Sequence, residues 1–303
     1  MLSMKSASKL LIVDAHAYAY RSFFAIRQLT SPGGEPTNAI YGFIKALSKM
    51  QNDVRPTHLL AVWDGGLAVE RVAALPEYKI HRPPMPDDLE KQIDGITQYL
   101  RAAGIASYCQ PGIEADDWIA TVARQAARAG LDVIIASSDK DFLQLVSLGV
   151  RLLNANDKSE VIWEERQVRE KTGVAPSQIV DWLSLIGDSV DNIAGVQGVG
   201  PKTAAGLLQQ FQSVDGIYAH LDQVKSERLR ASLRLSEAAV RRNQKLIRLI
   251  DDLPGEFSPA DFALKPGETD RLRELYTQWG FKSLAAALRP DAQPQPDLLA
   301  FNA

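Results

Sequence analysis

Residues 10–14 read LLIVD, residues 58–64 HLLAVWD and residues 132–141 DVIIASSDKD. Each is a short apolar run that ends at, or a few residues before, an aspartate. Runs of this length without polar alternation suit strands buried on both faces. Between the first two, residues 38–50 (NAIYGFIKALSKM) place apolar side chains at helical spacing. Residues 115–129 (ADDWIATVARQAARA) do the same before Gly130 ends them. A fourth strand is expected at 150–153. Strands alternating with helices predict an α/β fold, a mainly parallel sheet flanked by helices.

In open sheets of this kind, ligands bind outside the carboxyl ends of the strands. Asp14, Asp64, Asp139 and Asp141 are therefore delivered to one edge. Glu114, Asp116 and Asp117 open the helix at 115, where acids favour the positive end of the dipole. Three acids in four residues exceed what capping needs, and they repel one another unless a cation intervenes. Asp188 and Asp191 lie three residues apart in GDSVDN. One helical turn can present both to one point; an Asx-type turn between helices is the alternative. Nine carboxylates in one pocket need counter-cations. Oxygen donors without Cys or His partners select Mg²⁺ or Mn²⁺ over zinc. Two such ions about 4 Å apart can activate a water and stabilise the leaving oxygen of a phosphodiester. A third ion is left open.

Residues 195–203 read GVQGVGPKT. A glycine turn followed by a helix start lets backbone N–H groups approach a phosphate. Pro201 suits the first helical turn, and Lys202 adds charge. Gly198, Gly200, Lys202 and Thr203 are candidate DNA contacts that would not read sequence. A plain helical hairpin turn is the alternative. Residues 70–110 carry PEYKIHRPPMP and then a helical pattern from Asp87 to Ala103, read as an excursion above the sheet. Lys79 and Arg82, following the ligand candidate Asp64, would cover the site. Arg71, and Arg21 on the helix after Asp14, are further candidates for the substrate strand. From about residue 176 the chain reads as helical. Residues 254–303 hold one more helix and a PDAQPQPD tail that is expected to be mobile.

The 303 residues carry a net charge of −3, which argues at first against nucleic acid. Setting the nine site carboxylates aside turns −3 into +6. The single cysteine, Cys109, excludes an intrachain disulfide and fits a reducing compartment. No apolar run approaches the roughly 20 residues that span a bilayer, and LLIV is too short for a signal peptide. A cytoplasmic, nucleoid-associated monomer is expected.

The strings IVDAHAYAYRSFFA, TNAIYGF, VWD, PEYKIHRPPMP, GIEADDWIATVA, SSDKDFLQLV, LIGDSVDNIAGVQGVGPKTAAGLL and RRNQKLIRLIDD together resemble the bacterial 5′–3′ exonuclease family. That family comprises the N-terminal nuclease domain of DNA polymerase I and its stand-alone relatives, kin to flap endonucleases. The resemblance covers about residues 10–252. It implies a PIN-like nuclease domain over 1–175 with a helical arch at about 70–110. A helix–three-turn–helix region would follow at 176–260, then a C-terminal helix and tail at 261–303. The family's first metal group would fall on Asp14, Asp64, Glu114, Asp116 and Asp117, with Asp139 near both ions. The second would fall on Asp141, Asp188 and Asp191. Lys79 and Arg82 match the catalytic arch lysine and arginine. Backbone carbonyls of Leu185, Ile186, Ala194, Val196 and Val199 would hold a potassium ion. Ala15, Glu70, His81 and Ala194 depart from the family pattern; none is a metal ligand. The implied activity is cleavage of DNA at 5′ ends, nicks and flaps, with RNA primers on DNA as further substrates. A PIN-type ribonuclease would lack GVQGVGPK and the arch. A non-catalytic DNA-binding module would gain nothing from nine repelling acids.

Overall fold

A computed structural model describes residues 8–147, 149–154, 162–255 and 257–288. The PDAQPQPD segment lies outside the described residues. Six strands form one sheet: β1 (Lys9–Asp14), β2 (His58–Val62), β3 (Ala106–Tyr108), β4 (Asp132–Ser137), β5 (Val150–Asn154) and β6 (Ile162–Trp163), in the order β3-β2-β1-β4-β5-β6. β1 pairs parallel with both β2 and β4, and β4 pairs parallel with β5. Only β6 is shown to run antiparallel, against β5. Leu10 to Val13 and Val133 to Ala136 are almost wholly buried, as their unbroken apolar runs require.

The strand order reverses at β1. β2 lies on one side of it and β4 on the other, so their carboxyl ends open a crevice between them. Asp14 ends β1, and Asp139 follows β4 by two residues. Asp64 follows β2 by two residues. The topology thus gathers the acids that the sequence places after three separate strands.

The helices are α1 (Ala15–Ala25), α2 (Asn38–Val54), α3 (Val69–Ala74), α4 (Asp87–Ala102), α5 (Ala115–Arg128), α6 (Glu165–Thr172), α7 (Ile179–Ile186), α8 (Pro201–Phe211), α9 (Val214–Ala219), α10 (Glu227–Ile247), α11 (Thr269–Gln278) and α12 (Lys282–Ala287). Sequence periodicity located α2, α4 and α5 within a few residues. It missed the short β3 and β6 and the polar helix α6, and it merged α11 and α12 into one helix. Strands of two or three residues carry no readable period.

The chain divides into two compact units. The first comprises Met1–Ala17, Pro56–Pro84 and Tyr108–Phe262. It holds β1, β2 and β4 to β6, together with α3 and α5 to α10. β3 reaches it at Tyr108, whose carbonyl accepts from Trp63 N–H at 2.8 Å. The stretch read as one excursion, 70–110, is shared: residues up to Pro84 belong to the first unit, and α4 belongs to the second.

The second unit comprises Tyr18–Arg55, Met85–Ser107 and Ala263–Ala303. Here α4 crosses α2 closely. A Cβ on Gly95 would lie 2.6 Å from Ile40 Cδ1. The N-terminus of α2 has no side-chain cap of its own, since Thr37 makes no capping bond. Gln92 of α4, 1% exposed, supplies it. Its Oε1 accepts from Ala39 N–H at 2.7 Å and Ile40 N–H at 3.3 Å, and its Nε2 donates to Asn38 Oδ1 at 3.0 Å. Orphan N–H groups at a helix start are expensive when buried. Gln92→Leu should therefore cost on the order of 2–4 kcal/mol. Urea unfolding measures this, and an unchanged midpoint would show that the cap contributes nothing.

Candidate metal centre and DNA-facing elements

Asp14 sits at the floor of the crevice, 8% exposed. Its Oδ1 accepts from Ala17 N–H at 3.1 Å, at the start of α1, and its Oδ2 from Ser137 Oγ at 2.8 Å. Burial first, then repulsion from Asp139 and Asp64, pushes its carboxyl up to about 6 despite those bonds. Asp64 is held by its backbone: its N–H donates to His16 Nδ1 at 2.9 Å. Burial lowers the His16 pKa, which suits a neutral ring accepting at Nδ1.

Asp139 caps the short 3₁₀ turn at Lys140–Leu145, its Oδ1 accepting from Asp141 N–H at 2.8 Å. Burial raises the Asp139 carboxyl, with Asp191 and Asp188 adding repulsion. Asp116 and Asp141 are raised well above the ordinary range, by burial and then by Asp139. Asp14 repels the first of these further, and Asp191 and Asp188 the second. Asp141 Oδ1 is buried with no hydrogen-bond partner.

Asp188 and Asp191 lie on a hairpin between β7 (Gly187–Asp188) and β8 (Ile193–Ala194), not on a helical turn. Asp188 Oδ1 accepts from Val190 N–H at 2.9 Å, an Asx-type turn. The same short loop still points both acids at the crevice, because Asp139 and Asp141 feel each of them.

Basic groups stand among the acids. Lys79 Nζ lies 2.6 Å from Glu114 Oε2 and 3.9 Å from Asp191 Oδ2. Arg82 Nη2 lies 2.7 Å from Asp191 Oδ1, and Lys140 Nζ 3.1 Å from Asp188 Oδ2. Tyr78 OH sits 3.2 Å from Glu114 Oε2 and 3.4 Å from Asp191 Oδ2. Burial alone would raise Glu114, but Lys79 and Arg71 outweigh it and hold the carboxyl below its usual range. Lys79, expected from sequence to cover the site, is only 6% exposed. Its backbone takes a left-handed φ of 56° and donates to Asp191 O at 3.1 Å. A left-handed residue other than glycine costs roughly 1–2 kcal/mol.

Arg71, expected at the substrate strand, is 6% exposed and faces inward. Its Nη1 and Nη2 each lie 2.7 Å from an oxygen of Asp117. Arg21 is exposed on α1, in the second unit. Gly198 and Gly200 have open space where a Cβ would stand, Gly198 with a φ of +82°. Gly200 is the N-cap of α8 and supplies no side-chain cap. The first N–H groups of that helix, beside exposed Lys202 and half-buried Thr203, have no side-chain cap. Leu185, Ala194 and Val196 carbonyls already accept from Val196 N–H, Asn243 Nδ2 and Val199 N–H respectively. Each keeps a second lone pair.

Among the described residues, no three His, Cys, Asp or Glu side chains already meet in metal-binding geometry. Glu114, Asp117, Asp188 and Asp191 are turned to basic groups instead. The donor set nevertheless fits a divalent cation. Buried Asp14 and half-buried Asp116, Asp139 and Asp141 crowd one another, and one carboxylate oxygen, Asp141 Oδ1, is buried without a partner.

Residues 9–173 match the 5′-3′ exonuclease N-terminal resolvase-like domain, and residues 174–270 match the 5′-3′ exonuclease C-terminal SAM fold. The chain belongs to the 5′-3′ exonuclease family. It is 40% identical to the 5′-3′ exonuclease of Aquifex aeolicus over 276 residues, 91% of this chain and 93% of that protein. It is 36% identical to DNA polymerase I of Bacillus caldotenax, over 96% of this chain but only 34% of that protein. The chain thus spans about a third of its polymerase relative. Among solved structures, bacteriophage T5 5′-exonuclease with bound zinc aligns at a TM-score of 0.67 and 20% identity, covering 92% of this chain and 98% of that one. The catalytic core of Rad2 in complex with DNA aligns at 0.64 and 17%, covering 93% of each chain. At these identities they show the fold, a PIN-like α/β domain.

In this family member, the residues that hold the acids in place are not among those singled out from the sequence. Tyr78, His16, Ser137 and Lys140 all lie one or two positions from a chosen residue, and only that adjacency could have pointed to them.

The raised carboxyls make stability depend on pH. Asp14 binds its proton more tightly folded, near 6, than unfolded, near 3.8. Its contribution is present below pH 4 and lost as pH rises through 6. In EDTA, the melting temperature should therefore fall by roughly 5 °C between pH 5 and pH 7. Mg²⁺ should raise it more at pH 7 than at pH 5. Calorimetry checks this; a metal-free melting temperature that rises over the interval contradicts it.

Proposed function

We propose that the chain is a divalent-metal-dependent 5′-nuclease that hydrolyses DNA phosphodiesters at 5′ ends, nicks and flaps. The observation that carries this reading is the crevice of mutually repelling carboxylates with the orphaned Asp141 oxygen, in a chain of the 5′-3′ exonuclease family. Asp14, Asp64, Glu114, Asp116, Asp139, Asp141, Asp188 and Asp191 are the residues that would hold two Mg²⁺ or Mn²⁺ ions. Bound there, such ions supply Lewis acidity and a lowered pKa for water.

The remaining roles belong to the protein. Lys79 and Arg82 reach the crevice and would pair with the oxygens of the phosphate under attack, where negative charge grows. Glu114 and Asp191 would then each lose that ion pair, and their carboxylates could turn toward a cation. The α8 N-terminus, with Gly198, Gly200, Lys202 and Thr203, would hold a duplex phosphate through backbone N–H groups and one charge. Arg21 would meet the substrate strand. Carbonyls of Leu185, Ile186, Ala194, Val196 and Val199 would hold a potassium ion that stiffens this turn. Primer removal and flap trimming in replication and repair, by a monomer in the cytoplasm, fit this reading. No helix among the described residues is long and apolar enough to cross a membrane.

A 5′-labelled flap, a nicked duplex and a single strand test the activity. Cleavage should require Mg²⁺ or Mn²⁺, stop in EDTA and favour the junction. Asp139→Ala should cut at least about a hundredfold more slowly while still binding duplex. Cleavage in EDTA, or a fully active Asp139→Ala, would rule the reading out.

Lys202→Ala should weaken binding to all duplex sequences alike, and the slope of log K against log salt should fall by about one. A loss confined to some sequences would assign base readout to this turn.

A further inference from the structure

Asp117 stands apart from the other acids of its cluster. It is 1% exposed, and both its oxygens are engaged. Oδ2 accepts from Arg71 Nη1 at 2.7 Å; Oδ1 accepts from Arg71 Nη2 at 2.7 Å and from Ile250 N–H at 2.9 Å. The guanidinium is equally committed. Nε donates to Leu246 O at 3.0 Å, Nη2 also to Arg248 O at 3.3 Å, and Nη1 also lies 3.2 Å from Glu114 Oε2. These five contacts match the five N–H groups of an arginine. Leu246 and Arg248 carry carbonyls of the C-terminal turn of α10, where a cation is favoured.

The helix face tells the same story. Asp117, Thr121 and Gln125 are spaced by four and share one stripe of α5. Thr121 Oγ1 donates to Ile250 O at 3.2 Å and accepts from Leu253 N–H at 3.2 Å. Gln125 Nε2 donates to Gly255 O at 2.9 Å, and its Oε1 accepts from Phe257 N–H at 3.3 Å. The stripe thus receives Ile250, Leu253, Gly255 and Phe257 rung by rung, and Asp117 is the first rung. Asp116, about 100° around the helix, instead feels Asp14 and Asp139. To ligate an ion, Asp117 would have to leave a buried bidentate pair and orphan both the guanidinium and Ile250 N–H.

We propose that Asp117 is not a metal ligand but a positioning residue, which with Arg71 pins residues 246–250 onto the first turn of α5. It thereby fixes the helix start that carries Glu114 and Asp116 against the C-terminus of α10, joining the two family modules at the metal centre.

This inference rests on the metal reading above, and the test separates the two. Mn²⁺ titration followed by paramagnetic resonance compares wild type, Asp116→Asn and the double variant Arg71→Gln/Asp117→Asn, which keeps hydrogen bonding without charge. The double variant should keep the wild-type number of sites with affinities within about threefold, whereas Asp116→Asn should lose roughly tenfold or more at one site. Hydrogen exchange reads the positioning role without metal. Asp117→Ala should speed amide exchange across residues 250–257 by about tenfold, and the double variant should return it to within about threefold of wild type. If Asp117→Ala does not fold, the double variant carries both measurements. Loss of a Mn²⁺ site in the double variant would make Asp117 a ligand after all. Unchanged exchange in Asp117→Ala would remove the positioning role. Failure of wild type to bind Mn²⁺ would overturn the metal reading, and the inference with it.

Discussion

Like charges crowded at one edge of the sheet dominate this molecule. Asp14, Asp116, Asp139 and Asp141 meet at the carboxyl edge of the sheet, where burial and mutual repulsion both oppose ionisation. A fold can tolerate such a cluster only if protons, basic side chains or bound cations neutralise it. The arrangement of the surrounding segments follows from that requirement. Ser137 and Ala17 bond Asp14, and the 3₁₀ turn after Asp139 exists because its carboxylate caps Asp141 N–H.

Lys140 pairs with Asp188, and three further cations, Arg71, Lys79 and Arg82, each do a different thing. Arg71 is buried and fully bonded, so its charge serves structure. Lys79 is buried but has one close carboxylate contact, to Glu114, and a left-handed backbone, which leaves it easier to move than Arg71. Arg82 is 40% exposed in its side chain, so its pair with Asp191 is screened by water. A gradient from fixed to mobile charge therefore runs from the base of α3 to residue 82. An incoming phosphate and its counter-cations would displace the last two before the first.

The hairpin carrying Asp188 and Asp191 is tied to this gradient by its backbone. Asp191 O accepts from Lys79 N–H, and Asn192, itself left-handed at φ 59°, donates to Glu77 O at 3.0 Å. Gly187 and Gly195 permit the turn, because a Cβ on Gly195 would lie 2.3 Å from the Ile186 carbonyl. Strain concentrated at two facing loops of one site is the usual mark of a segment placed for chemistry, not for stability.

The sequence by itself determined the longer strands and the main helices, because these are local signals. A buried strand shows as an unbroken apolar run and an amphipathic helix as a 3.6-residue period, and an aspartate after a strand is read from its neighbours. It also determined the family, through many short strings in one order. Tertiary structure alone decided what each charge does. Arg71 lies 46 residues from Asp117 and 177 from Arg248, and nothing local says that its guanidinium turns inward to join them. Nothing local shows that Lys79 is buried, because its partner Glu114 comes 35 residues later. Asp116 and Asp117 are adjacent and chemically identical, yet the turn of one helix sends them to different neighbours. Electrostatic roles depend on distance and desolvation in space, and the order of residues along a chain encodes neither.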